Sequence, residues 1–162
     1  MTGSDLSKLN FFLLLILFSI PFFLQSEEIK HNIDFQHQGN LWILPSDMHD
    51  TLYIKIEFAE SVTEQMQGLM YRETMEPDEG MLFIYAYPQR MNFWMKNTHI
   101  PLDLIFIDET GTIVDLAENT IPFSEKNIPS FVTSIYVLEV NAGYCERNFI
   151  IIGDRVIWED IR

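Results

Sequence analysis

Between Met91 and Asp108 the chain reads MNFWMKNTHIPLDLIFID, which brings an indole, an ammonium, two amides, an imidazole and two carboxylates close together in sequence. Read as an extended ribbon, it sets Met91, Phe93, Met95 and Asn97 on one face and Asn92, Trp94, Lys96 and Thr98 on the other. Trp94 and Lys96 are then neighbours on one face, spaced for a cation–π contact worth about 0.5–2 kcal/mol. An indole wall beside an ammonium floor suits an anionic or sugar-like ligand. The plainer role for Lys96 is an ion pair with Asp103 or Glu118 that fixes a loop. Asn97 and Thr98 can bond nearby backbone and hold the corner at Pro101, whose ring sets its own dihedral. Beyond that corner lies Asp103.

Four further residues are candidate neighbours of this group. Arg72 stands among Glu73, Glu76, Asp78 and Glu79, where a bidentate ion pair is its simplest role. Glu139 shares a strand face with Ile135 and Val137, so its carboxylate needs a partner or water, and Arg72 or Lys96 can supply one. Asn141 follows at the same strand end. Asp103 and Glu118 form a possible acid/base pair, since such chemistry needs two titratable groups held apart in pKa. The candidate binding set is therefore Trp94, Lys96, Asn97 and Asp103, with Arg72, Glu118, Glu139 and Asn141 around it.

Other chemistries are less well supported. Met66, Met70, Met75, Met81, Met91 and Met95 accompany His99 and Trp94, a thioether and imidazole set of the kind that selects Cu(I). Methionine is also the usual filler of irregular cores. The single Cys145 has no disulfide partner and reads as a small buried apolar residue, with only Arg147 nearby to stabilise a thiolate. There is no G-x-S-x-G, C-x-x-C, H-E-x-x-H, phosphate loop or dinucleotide fingerprint. The expectation is no cofactor, no resident metal, and a binding role ahead of an enzymatic one.

The elements that must position these residues are mainly strands. LWIL (41–44) closes at Pro45. In TLYIKIEFAE (51–60), Leu52, Ile54, Ile56 and Phe58 face a core while Tyr53, Lys55 and Glu57 face the other way. Ser61 and Glu64 form a capping-box pattern at the start of a short helix, with Val62, Met66, Leu69 and Met70 as its apolar stripe and Gly68 near its end. EPDEG is a turn, MLFIY a strand and AYPQ a loop. LDLIFID and TIVDLAE flank DETG as a hairpin with Gly111 at the bend. After the loop NTIPFSEKNIPS come FVTSIYVLEV, the turn NAGYCERN and a last strand, GDRVIW. Seven or eight short strands and one helix predict a mainly β domain, a sandwich or barrel of jelly-roll type.

Ahead of this domain, FFLLLILFSIPFFL (11–24) follows a short, net positive start, as in a secretory signal peptide. Pro21 interrupts the run before the roughly 20 residues that span a bilayer. The expected organisation is a signal peptide or anchor over 1–26, a linker over 27–40 and one β domain over 41–162. That implies an extracytoplasmic protein, periplasmic or secreted, with residues 9–24 as an anchor if uncleaved. A net charge of −14 opposes nucleic acid and anionic lipid, which leaves a small molecule or an envelope protein as partner.

The segments GLMYRE, EGMLFIY, FWMKNTHIPLDLIFID, GTIVDLAEN, YVLEVNAG and GDRV occur in this order and resemble the bacterial and archaeal family called domain of unknown function 192, over roughly residues 52–158. The resemblance implies a compact β architecture, often behind an N-terminal signal or anchor, and brings no established activity. Two departures stand out. Gln65 and Gln67 occupy positions that are often basic in relatives. The loop TIPFSEKNIPS lacks cysteines that many relatives carry, so no loop disulfide forms here.

Overall fold

A computed structural model describes residues 33–46 and 50–162. Seven strands and two short helices follow in the order β1 (Gly39–Leu44), β2 (Leu52–Ala59), α1 (Val62–Gln67), β3 (Glu79–Phe93), β4 (Leu102–Ile107), β5 (Ile113–Ala117), β6 (Ile128–Asn141), α2 (Tyr144–Arg147) and β7 (Arg155–Asp160). All strands join one sheet in the order β5-β4-β6-β3-β2-β1-β7. The leader and anchor expected over 1–26 lie outside the described residues.

The fold is mainly β as expected, but in place of a sandwich or barrel its strands form a single curled sheet, a half-barrel, and two short helices stand among the described residues where one was expected. Among the described residues only β2 and β3 run parallel. A parallel pair needs a crossover, and α1 with the following turn supplies it. The curl brings the two edge strands together at one end, where Thr112 and Arg155 form an isolated bridge. Ile113 N donates to Asp154 O (2.9 Å) and Val156 N donates to Gly111 O (2.7 Å) at this seam. Gly111 has φ +80°, and a Cβ there would lie 2.6 Å from Val156 O, so backbone strain and close approach both require glycine. Partial closure of this kind shields sheet edges from foreign pairing.

The two faces of the sheet carry separate cores. Leu41, Ile54, Leu82, Ile105, Leu138 and Val156 belong to a cluster that unites strands from both ends of the sheet, so it fills the concave side. Met81, Phe83, Leu104, Phe106 and Val137 form the other cluster with Leu69, Met95 and Ile100, which come from the segments covering the convex side. Residues alternate between these cores along each central strand, as a period of two demands. Because both faces are covered, β4 is buried along its whole length.

Two local expectations are corrected. AYPQ is not a loop: β3 continues through it, with register irregularities between Ile84 and Gln89 that remove the ladder bond Pro88 could not donate. The stripe on α1 does not pack either. Its capping box forms as expected, but the helix buries no residue, and Val62 and Met66 are 73% and 72% exposed. Gly68, at φ +48°, ends the helix and redirects the chain, so Leu69 alone of the four is buried.

Candidate ligand crevice at Glu139

Strand register decides which side chains meet. Glu57 on β2 lies opposite Met81 on β3, Met81 opposite Glu139 on β6, and Glu139 opposite Leu104 on β4. This row of four points to the convex core and contains two carboxylates. Glu57 was expected on the solvent side of its strand; it is buried instead, under the chain that follows α1. Its Oε2 accepts from Arg72 Nη2 at 2.6 Å, and its Oε1 accepts from Gln36 N at 2.6 Å. Arg72 thus pairs with a strand carboxylate rather than with the acids beside it in sequence.

Glu139 has no such partner. It is 5% exposed, and its Oε2 makes no hydrogen bond among the described residues. Burial without compensation pushes its pKa up to about 8, favouring the neutral acid. Neither Arg72 nor Lys96 reaches it as an ion-pair partner.

Above this carboxyl lies a narrow crevice of about 30 Å³. Residues 65–70 form one side, and Phe83, Phe93, Trp94 and Thr98 form the other. Phe83 and Phe93 meet edge to face at 5.3 Å between centroids, which fixes the aromatic wall. Gly68 keeps the crevice open: a Cβ there would approach the Phe83 ring to 3.1 Å and Glu139 Oε2 to 3.8 Å. The lips are clasped by two residues in the left-handed region, Tyr71 (φ 65°) and Asn97 (φ 55°). Tyr71 N donates to Asn97 O, and Asn97 Nδ2 donates to the Tyr71 hydroxyl, both at 2.8 Å. Non-glycine residues adopt this conformation at a cost that surrounding structure must offset.

The extended ribbon expected over Met91–Thr98 stops at Phe93, the last residue of β3. Trp94 emerges 44% exposed while Met95 turns into the core. The Trp94–Lys96 contact forms nonetheless, with Lys96 Nζ 5.0 Å from the ring centroid. The acid beside Lys96 is Glu125, at 3.8 Å, and not Asp103 or Glu118. The thioether set also disperses: Met91 and Met95 are core, Met66 is on the surface, and exposed His99 packs on Phe123 at 4.9 Å.

Asp103 belongs to the opposite face. It pairs with Val140 and meets Cys145 and Glu118 there, their ligand atoms all within 4.8 Å of one another. That closeness matches the expected carboxylate pair. Asp103, however, is 0% exposed and both its oxygens are occupied, Oδ1 by Asn119 N (2.7 Å) and Oδ2 by Cys145 N (3.0 Å). Burial, with Asp103 and Glu118 adding to it, drives the Cys145 thiol far up, away from a nucleophilic or metal-binding thiolate. The cluster therefore anchors α2 and the loop after β5. Asp103→Asn leaves one buried N–H facing an amide instead of an acceptor, and we expect a loss of about 1–3 kcal/mol in urea unfolding. Asn141 is likewise structural, its Nδ2 donating to Met75 O and Glu76 O at 3.0 Å.

The family model DUF192, described as "Uncharacterized ACR", matches residues 44–158. The chain belongs to the DUF192 family. No curated protein matches it. A crystal structure from Sinorhizobium meliloti 1021, provisionally described as a transcription regulator, is 38% identical, with 78% of this chain and 97% of that one covered at a TM-score of 0.72. A protein of unknown function from Novosphingobium aromaticivorans DSM 12444 is 34% identical, with 74% of this chain and 84% of that one covered at a TM-score of 0.70. Every residue lining the Glu139 crevice falls inside the DUF192 span. Sequence reasoning named Trp94 and Glu139 but not the walls between them. Gly68 was the available signal, a glycine in a helical pattern that costs stability unless backbone must pass close to something.

Proposed function

We propose that this DUF192 protein is a binding module, for a small molecule or an envelope partner, and that its ligand enters the crevice over Glu139. One observation carries the reading: Glu139, whose Oε2 has no hydrogen-bond partner among the described residues, lies at the base of an opening walled by aromatic rings. Burying such a group costs free energy that folding alone does not recover. Perturbed, uncompensated carboxyls in clefts are accordingly candidates for function. The Trp94 indole lines the crevice, where it can contact an arriving ligand, and Lys96 Nζ lies 5.0 Å from its ring centroid.

The apolar run over 11–24 and the −14 charge support export, with residues 9–24 as anchor if the leader is retained. The same charge opposes a phosphate backbone, so the regulator description of the Sinorhizobium meliloti relative is not carried over as DNA binding. An enzymatic alternative using Asp103 and Glu118 is favoured by their proximity and opposed by the occupied oxygens of Asp103.

The test is a fragment screen read by amide and indole NMR shifts on the full domain. Ligands of this site shift the Gly68 amide and the Trp94 indole together, and Trp94→Ala weakens them by about tenfold, the equivalent of 1.4 kcal/mol. Ligands that bind only elsewhere, leaving both signals in place, would falsify the assignment.

A further inference from the structure

Resting on that reading, we infer that the crevice selects a primary alkylammonium group, its head on Glu139 and its first methylenes against Phe93, Trp94 and Met66. Size is the first argument. The space is about 30 Å³, where roughly 10–15 Å³ of such space is enough for one water. A compact ammonium head enters such a space more readily than a planar guanidinium or a tetramethylated nitrogen. Widening the crevice would require moving Phe83, which is buried and locked edge to face against Phe93.

Charge and donors are the second argument. The base of the crevice presents the Glu139 carboxyl, whose buried Oε2 has no hydrogen-bond donor among the described residues. The Thr98 hydroxyl already donates to Lys96 O (3.3 Å), which leaves its oxygen lone pairs to accept. The Gln65 amide is not available to compete, because its Nε2 donates to Ala59 O, Glu60 O and Ile84 O. An ammonium brings three donors and no acceptor, and the faces of aromatic rings favour a cation. An ammonium also stabilises the ionised carboxylate, which an anionic head would oppose and a neutral hydroxyl would not assist.

Lys96 does not fill the site. Lys96 Nζ lies over Trp94 and toward Glu125, outside the crevice. Exposed Met66 and Trp94 give the crevice an apolar flank, which suits an unbranched alkyl stem. Such a group comes either as a free amine or as a lysine side chain on a partner.

The experiment compares five probes on the unmodified protein by NMR titration: n-butylamine, Nα-acetyl-lysine amide, n-butylguanidine, tetramethylammonium and n-butanol. The two primary amines shift the Gly68 amide and Trp94 indole, and the other three bind at least about tenfold more weakly, as a 1.4 kcal/mol difference gives. Tighter binding of the lysine amide than of butylamine assigns the source to a protein side chain, and the reverse assigns it to a free amine; both support the selectivity. Equal binding of butanol or butylguanidine at Gly68 and Trp94 overturns the amine inference and leaves the crevice as a binding site. Failure of both amines to shift these signals, where fragments of other chemistry do, overturns it as well.

Discussion

Replacing Arg72 with methionine lowers the unfolding free energy by about 3–5 kcal/mol, the usual cost of stripping the partner from a buried charge. Both side chains of the Arg72–Glu57 pair are almost wholly buried, and their contact is 2.6 Å. After the change, Glu57 Oε1 still accepts from Gln36 N, but Oε2 faces an apolar side chain. Phe35, whose ring lies 5.8 Å from the guanidinium, loses its cation as well. The remedy follows from the same physics. Combining Arg72→Met with Glu57→Gln recovers most of the loss, because the uncompensated charge is gone. Urea unfolding midpoints of the two single variants and the double variant check this. A single-variant loss below about 1 kcal/mol puts the pair in the class of exposed ion pairs and contradicts its structural role.

The second large effect is a pH dependence assigned to one residue. Glu139 holds its proton to about pH 8 in the folded protein, whereas an ordinary glutamate releases it near 4.5. Between those values the folded state binds a proton that the unfolded chain lacks. The contribution of Glu139 to stability is therefore complete below about pH 4.5 and lost progressively up to about pH 8, at roughly 1.4 kcal/mol per pH unit. Glu139→Gln resembles the neutral acid and removes this slope, so the variant is more stable than the parent by a few kcal/mol at pH 8–9 and similar to it at pH 4. The charged and titratable groups around the site are Tyr85, Lys96 with Glu125, and the Glu57–Arg72 pair. Tyr85 is pushed up to about 12 by its burial and by Glu139, above the window. Glu64, Asp78, Asp108 and Asp160 have lowered pKa values, so their contributions change on the acid side of it. Thermal unfolding of both proteins from pH 4 to 9 checks the crossing. Parallel curves would place the Glu139 carboxyl in contact with water.

What the sequence makes legible is local. The capping box of Ser61 and Glu64, the hairpin turn at Gly111, and the Trp94–Lys96 contact each depend on residues a few positions apart, and each forms. What it hides is register. Asp103 and Glu139 fall on opposite faces because Asp103 pairs with Val140 and Leu104 with Glu139; one residue of slip would reverse this, and nothing within either strand reports it. The apolar stripe of α1 was misleading for a related reason. Its period is genuine, yet six residues ended by Gly68 leave Val62 and Met66 outside the core. The partner of Arg72 was equally hidden, since many carboxylates surround it in sequence and the chosen one arrives from β2.

The central claim is that an uncompensated carboxyl at the base of the crevice is the protein's ligand contact. Carbon-detected NMR of the Glu139 side-chain carboxyl, assigned by its absence from Glu139→Gln, measures that group directly. The account predicts a titration midpoint near pH 8 in the free protein, moving downward when n-butylamine is bound because the ammonium favours the ionised form. A midpoint near the ordinary glutamate value, unmoved by the amine, would contradict it.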